Sequence, residues 1–344
     1  MDVSHLSHPA TGIGTYTRGS LAGLAEAGGG RHELVAFALA NWRRAGAIGE
    51  QLDGVPVDLR VVRAPFAHAW RTGWSRLRRP AAERFLGRVD VLHYWDWMYP
   101  PQRAGVRATT VSDLVPILHP EWVTERTRQM HGAKYRDAAA TCDVIFTDSR
   151  FTARAVVERL GVPEGRVRVA YPGVDGRFHP DGDRAGLGRP YVLAVGTEPR
   201  KNAGVLAEAQ RLLPTGHAVA VVGEGPPAGV LGLGYVSDEE LPRLYRGADA
   251  FVYPSLYEGF GIPVVEAMAC GTPCVVSSHA SLDEAAGGAA VRVDPRDPAA
   301  VAAGVERALA ERDELVPRGL EHAGRFTWEA TGRALLDGYE AALA

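Results

Sequence analysis

Tyr257-Glu258-Gly259-Phe260-Gly261-Ile262-Pro263-Val264-Val265-Glu266-Ala267-Met268-Ala269-Cys270-Gly271-Thr272-Pro273 sets two carboxylates on either side of a glycine loop and a helix start. Gly259 and Gly261 let the backbone come close to a ligand, and Pro263, with its fixed φ and no N–H, suits a first helical position. The unpaired N–H groups of such a start point toward an anion. Glu266 then falls in the first turn or so of the helix, and Glu258 in the loop ahead of it. A carboxylate pair would repel a phosphate, so its natural partners are hydroxyls on either side of one, those of a sugar and a ribose.

The Glu-x7-Glu spacing followed by Ala-Met-Ala-Cys-Gly-Thr-Pro resembles the retaining nucleotide-sugar glycosyltransferases of family four, which have the GT-B fold. The resemblance continues through Val195-Gly196-Thr197-Glu198-Pro199-Arg200-Lys201-Asn202, through Gly234-Tyr235-Val236-Ser237-Asp238, and through Ala248-Asp249-Ala250-Phe251-Val252-Tyr253-Pro254-Ser255. Near the start, Thr11-Gly12-Ile13-Gly14-Thr15-Tyr16-Thr17 is similar to the family's acceptor-side glycine loop. The implied fold is α/β: two doubly wound Rossmann-like domains facing across a cleft, with the last helix crossing back to the first domain. The implied activity is transfer of a hexosyl unit from a nucleoside-diphosphate sugar to a hydroxyl of a glycan, lipid-linked or small-molecule acceptor.

Roles follow residue by residue from the same resemblance. Arg200 and Lys201 bind the diphosphate, Glu258 contacts the donor sugar and Glu266 the ribose. Gly259, Phe260, Gly261, Val236 and Gly223 complete the donor side, and Gly12, Gly14, Ser112 and Asp113 the acceptor side. Cationic side chains with a helix end can neutralise a diphosphate leaving group, so no metal is expected, and no cofactor beyond the sugar nucleotide. Asp181-Gly182-Asp183 reads as a turn rather than a metal-binding pair. Among donors the resemblance places GDP-mannose ahead of UDP-hexoses and dTDP-deoxysugars, and it implies retention through front-face attack assisted by the leaving phosphate.

Composition fits a large enzyme. The chain has 344 residues, which suggests two domains, and a net charge of -3 gives no reason to expect nucleic acid as a partner. Cys142, Cys270 and Cys274 match neither a zinc site nor a disulfide framework, so reduced thiols in the cytoplasm are expected. No apolar run approaches the roughly 18 residues that span a bilayer, and no signal-peptide pattern opens the chain.

Apolar segments at 34–39, 55–62, 89–93, 106–111, 144–147 and 167–171 read as strands, with helices such as 15–27 and 124–139 between them. The expected first domain covers 1–175, joined by the helix 328–344. Residues 176–190, rich in Gly, Pro and Asp, read as a linker. Residues 191–327 form the donor domain, with strands at 191–195, 217–222, 250–253 and 274–277.

Two departures from the family pattern stand out. Val111-Ser112-Asp113-Leu114 lies where many relatives carry His-Asp-Leu, so a hydroxyl replaces an imidazole, and its role is either dispensable or moved to His93 or His119. The opening Met1-Asp2-Val3-Ser4-His5-Leu6 leaves little of the usual first strand. The segment 68–84, with Trp70, Arg71, Trp74, Arg76, Arg78, Arg79 and Arg84, suits an anionic membrane surface at the inner face or a phosphorylated acceptor; the competing reading is a solvated helix packing its Trp residues inward. Gly12-x-Gly14 also fits a dinucleotide oxidoreductase, but no acidic residue stands at the end of the second strand. A starch- or sucrose-type glucosyltransferase, a catalytically impaired sugar-nucleotide scaffold, and a UDP- or dTDP-sugar enzyme of natural-product glycosylation remain alternatives.

Overall fold

Short β-branched runs between amphipathic helices form parallel strands in both halves of the chain. A computed structural model describes residues 1–8, 12–95, 97–213 and 216–344; Thr11 of the glycine loop lies outside the described residues. They divide into two units, Met1–Gly173 with Thr327–Ala344, and Val174–Phe326.

In the first unit, β1 (Val35–Ala40) pairs with β2 (Asp58–Arg63), and β3 (Val91–Tyr94), β4 (Val106–Val111), β5 (Val144–Thr147) and β6 (Val167–Val169) pair in that order. Met1–Val3 bridges the two groups: Val3 N–H donates to Phe37 O at 2.7 Å and Asp2 N–H to His93 O at 2.8 Å. The short opening segment therefore links β1 of one sheet to β3 of the other.

The helix Gly12–Gly28 lies against the helix Trp328–Leu343 at very close range. A Cβ at Gly23 would sit 1.8 Å from Trp328 O, and one at Gly332 would sit 2.0 Å from Gly23 C. Only hydrogen fits there, so these glycines set the crossing distance. Tyr16 Oη donates to Ala170 O at 2.6 Å, and Thr331 Oγ1 to Tyr171 O at 2.6 Å, fixing both helices to the chain after β6.

The second unit is one six-stranded parallel sheet. Its strands are β7 (Tyr191–Val195), β8 (Ala218–Val222), β9 (Leu231–Gly234), β10 (Ala250–Tyr253), β11 (Cys274–Ser277) and β12 (Ala290–Val293), in the order β12-β11-β10-β7-β8-β9. The central strands are buried runs of Val, Ala and Leu, as expected where helices cover both faces. Sequence reading passes over β9 and β12, which are the two edge strands; Leu231-Gly-Leu-Gly has no β-branched residue.

The expected linker needs correction. Residues 176–190 belong to the second unit and are held on it: Arg246 Nε donates to Asp183 O at 2.8 Å, Ala185 N–H to Arg243 O at 2.9 Å, and Phe178 packs edge-on to Tyr245. Gly and Pro remove regular secondary structure there, but they do not remove contacts.

Candidate functional site

The residues expected on the donor side assemble from the ends of two neighbouring strands. Strand order reverses at the β7–β10 pair, and ligands bind open α/β sheets beyond the carboxyl ends of strands at such a point. After β7, Gly196 turns at φ +94°, and a single helical turn, Pro199–Lys201, carries both cations. After β10 comes the loop with Glu258, then the helix Ile262–Ala269. The loops are tied together, with Leu256 N–H donating to Arg200 O at 2.8 Å and Asn202 Nδ2 donating to Pro254 O at 3.3 Å.

Glu258 is the hub. Its Oε1 accepts from Lys201 Nζ at 2.8 Å and from Tyr253 Oη at 2.9 Å, Arg200 Nη1 donates to its Oε2, and Lys201 Nζ also donates to Tyr253 Oη. Burial works to raise the Glu258 pKa, but Lys201 and Arg200 outweigh it and hold the carboxyl at about 2. Burial lowers the pKa of Lys201, against the pull of Glu258. Glu258 is therefore the counter-ion of the cation pair. That narrows the expectation of a carboxylate open to sugar hydroxyls: Oε1 is taken up by two donors, Oε2 accepts from Arg200, and the Ser255 hydroxyl also stabilises the charged carboxylate. Lys201, with two of three N–H groups on protein partners, has one left for an anion.

Glu266 is in the opposite electrostatic state. It lies in the second turn of its helix, a little later than the sequence suggests, and accepts from Tyr245 Oη at 3.2 Å. Burial first, then Asp175 and Asp238, push its pKa up to about 7 despite Tyr245 and Arg177. Gly261 has φ +109°, and a Cβ there would meet Leu282 Cδ2 at 2.6 Å. Gly223, at φ +132°, closes the loop after β8 by donating its N–H to Gly234 O at 2.9 Å, and Val236 follows β9 half-buried. The Phe260 side chain packs edge-on to Phe326 with ring centroids 5.1 Å apart.

On the first unit, Gly12 opens its helix with no atom of the described residues within 4 Å of a would-be Cβ, so their packing does not demand glycine there. Asp113 Oδ1 accepts from Val115 N–H at 2.9 Å and caps a short turn. Ser112 hydrogen-bonds Asp148, a buried carboxyl at the end of β5 whose pKa is raised to about 7 chiefly by burial. His93 does not inherit the missing imidazole's role: it is stacked on Trp95 and Phe146, hydrogen-bonded to Thr110 and Tyr339, and its pKa is driven well below the usual value by burial. His119 stacks on Trp122 beside Glu121 at the surface. Tyr253, Tyr245 and Asp148 were not singled out in the sequence; each stands at or near a strand or helix end, which is the one signal that could have found them.

Residues 223–323 match the family described as glycosyl transferases group 1, and residues 10–177 match Glycosyltransferase Family 4. The O-antigen chain mannosyltransferase B of Escherichia coli is 31% identical over 284 residues, covering 73% of this chain and 74% of that protein. The chain belongs to glycosyltransferase family four. A D-inositol 3-phosphate glycosyltransferase of Geodermatophilus obscurus is 35% identical over 241 residues, 59% of this chain and 53% of that protein. The HepE structure from Anabaena, solved with UDP-glucose, superposes with a TM-score of 0.68 at 15% identity, covering 97% of both chains. The fold is GT-B, and the enzyme transfers a sugar from a nucleotide sugar. Among the described residues no helix is long and apolar enough to cross a membrane.

Proposed function

We propose that the enzyme is a retaining hexosyltransferase that takes a mannose-like unit from GDP-mannose and passes it to a glycan, lipid-linked or small-molecule hydroxyl without a metal. One observation carries this reading: Arg200 and Lys201, organised by buried Glu258 at the switch point of the second sheet, form a fixed cationic site where a leaving diphosphate gains charge. Preorganised charge of this kind stabilises the transition state without reorganisation during the reaction. Glu266, half-buried beside Tyr245, is the residue to which this reading gives the ribose hydroxyls. Mannose is favoured by the E. coli mannosyltransferase among the relatives, and the acceptor by the range those relatives cover.

The test is a thermal-shift panel of GDP, UDP and dTDP, followed by transfer assays with the matching sugar nucleotides and NMR of the product anomer. GDP should stabilise most; a ligand at 100 times its dissociation constant adds about 2.7 kcal/mol. Stabilisation by UDP or dTDP alone would move the donor to another class, and an inverted anomer would end the retaining assignment. Turnover should persist in excess chelator, and loss restored by Mg²⁺ would overturn the metal-free reading.

A further inference from the structure

The loop that carries Glu258 rests on the turn after β11. The chain leaves that strand at Ser277, makes a single turn at Ala280–Leu282 and runs into the short helix Asp283–Ala286. This turn supports both ends of the loop. At one end the Glu258 N–H donates to Ser281 Oγ at 3.0 Å, and at the other Leu282 Cδ2 fills the space that a Cβ on Gly261 would need. Ser281 and Leu282 are both buried.

His279 holds the turn. Its Nδ1 accepts the Ser281 N–H at 3.2 Å and lies 2.9 Å from Ser281 Oγ. A backbone N–H can only donate, so Nδ1 carries a lone pair and the proton of the neutral ring sits on Nε2. The Ser281 hydroxyl then donates to Nδ1, which leaves its oxygen lone pairs for the Glu258 N–H. The chain from Glu258 N–H through Ser281 Oγ to His279 Nδ1 therefore has one direction. A proton on Nδ1 would oppose the Ser281 N–H and turn the hydroxyl away. The His279 backbone is held apart from its ring, with its N–H donating to Ser277 Oγ at 3.2 Å and its carbonyl accepting from Arg292 Nη2 at 3.0 Å. The charged and titratable groups nearby are Arg292 on β12, Asp283 paired with it at 2.7 Å, Tyr257 with its ring 5.8 Å from the imidazole, and Glu258 beyond Ser281.

We propose that His279 is a positioning residue for sugar transfer: its unprotonated Nδ1 fixes Ser281, and Ser281 fixes Glu258, the counter-ion that organises Arg200 and Lys201. The proposal rests on the diphosphate-binding role given to those cations above. The imidazole is half-buried, so it stays within reach of solvent protons, and acid loosens the Glu258 loop by charging it.

The experiment compares His279→Ala, Ser281→Ala, the double variant and His279→Asn with the wild type. Transfer is followed with GDP-mannose, UDP-glucose and dTDP-glucose, and hydrogen exchange of the Glu258 amide is measured without any substrate. Each alanine variant should lower kcat by about 10-fold with a smaller change in KM, because a displaced charge loses transition-state stabilisation. The double variant should be no slower than either single one, since both changes cut the same chain. Asparagine presents an oxygen where Nδ1 stands and is among the preferred capping residues, so His279→Asn should restore turnover at pH 8. It takes up no proton, so its rate should fall less steeply than that of the wild type between pH 8 and pH 5. Glu266 is present in both proteins and cancels in that comparison. The Glu258 amide should exchange about 10-fold faster in His279→Ala and at the wild-type rate in His279→Asn. Alanine variants with wild-type kcat and Glu258 exchange, additive losses in the double variant, or an unchanged acid limb in His279→Asn would each overturn the proposal. Failure of the underlying reading looks different: Arg200→Ala and Lys201→Ala would turn over normally, while the exchange result at Glu258 would stand.

Discussion

Replacing Glu258 by glutamine keeps the size and removes the charge that balances Lys201 and Arg200. The carboxyl is held at about 2, against an ordinary value of 4.5, and that difference corresponds to about 3 kcal/mol of stability at neutral pH. Because the folded value is depressed, this stability is present above pH 4.5 and lost as the pH falls toward 2. Loss of one partner from a buried ion pair costs roughly 3 to 5 kcal/mol, which agrees in size. Glu258→Gln should therefore lower the stability of the second unit by about 3 kcal/mol at pH 7. All seven Trp residues lie in the first unit, so fluorescence will not read this. Hydrogen exchange of β7 and β10 amides across a urea series will. The variant should converge on wild type as the pH drops from 4.5 toward 2. A loss under about 1 kcal/mol at pH 7, or parallel pH profiles, would refute the counter-ion argument.

Glu266→Gln should act in two directions. Its folded pKa is raised to about 7, so the stability tied to its protonated form is complete below 4.5 and lost as the pH rises through 7. With a discount for partial exposure, the glutamine variant should be more stable than wild type by about 2 kcal/mol at pH 8 and equal to it at pH 4, by thermal unfolding. Calorimetry should show it binding bare nucleoside diphosphate more weakly by roughly 1.5 to 3 kcal/mol. Arg200→Ala and Lys201→Ala should each cut turnover by about 10² or more, and steady-state rates near wild type in both would remove the leaving-group role. Gly332→Ala should destabilise the first unit by about 1 to 3 kcal/mol through overpacking against Gly23, read by Trp fluorescence in urea.

What the sequence made legible was what repeats locally. Central strands such as Val106–Val111 and Tyr191–Val195 announce themselves by short runs rich in Val and Thr or Val and Leu, and Trp328–Leu343 by its apolar spacing. Glu258 and Glu266 were both visible, yet their opposite ionisation was not, because it comes from Lys201 and Arg200 beside the one and from burial, Asp175 and Asp238 around the other. Those partners meet only once the sheet order is set. Pairing of β7 with β10, separated by more than fifty residues, brings the cation loop to the carboxylate loop, and no local pattern encodes it. The Ser112–Asp148 contact is hidden for the same reason, since β4 and β5 deliver its two members.

The close crossing of the helices Gly12–Gly28 and Trp328–Leu343 has a consequence for synthesis. Residues 174–326 are contiguous and hold all six strands of their sheet, so they can fold as soon as they leave the ribosome. The other unit cannot: its last helix follows residue 326 in the chain, and Gly19 and Gly23 stay uncovered until it arrives. The first unit is thus completed only after the second, and a nascent chain stalled before Trp328 would carry a completed second unit on an open, aggregation-prone partner.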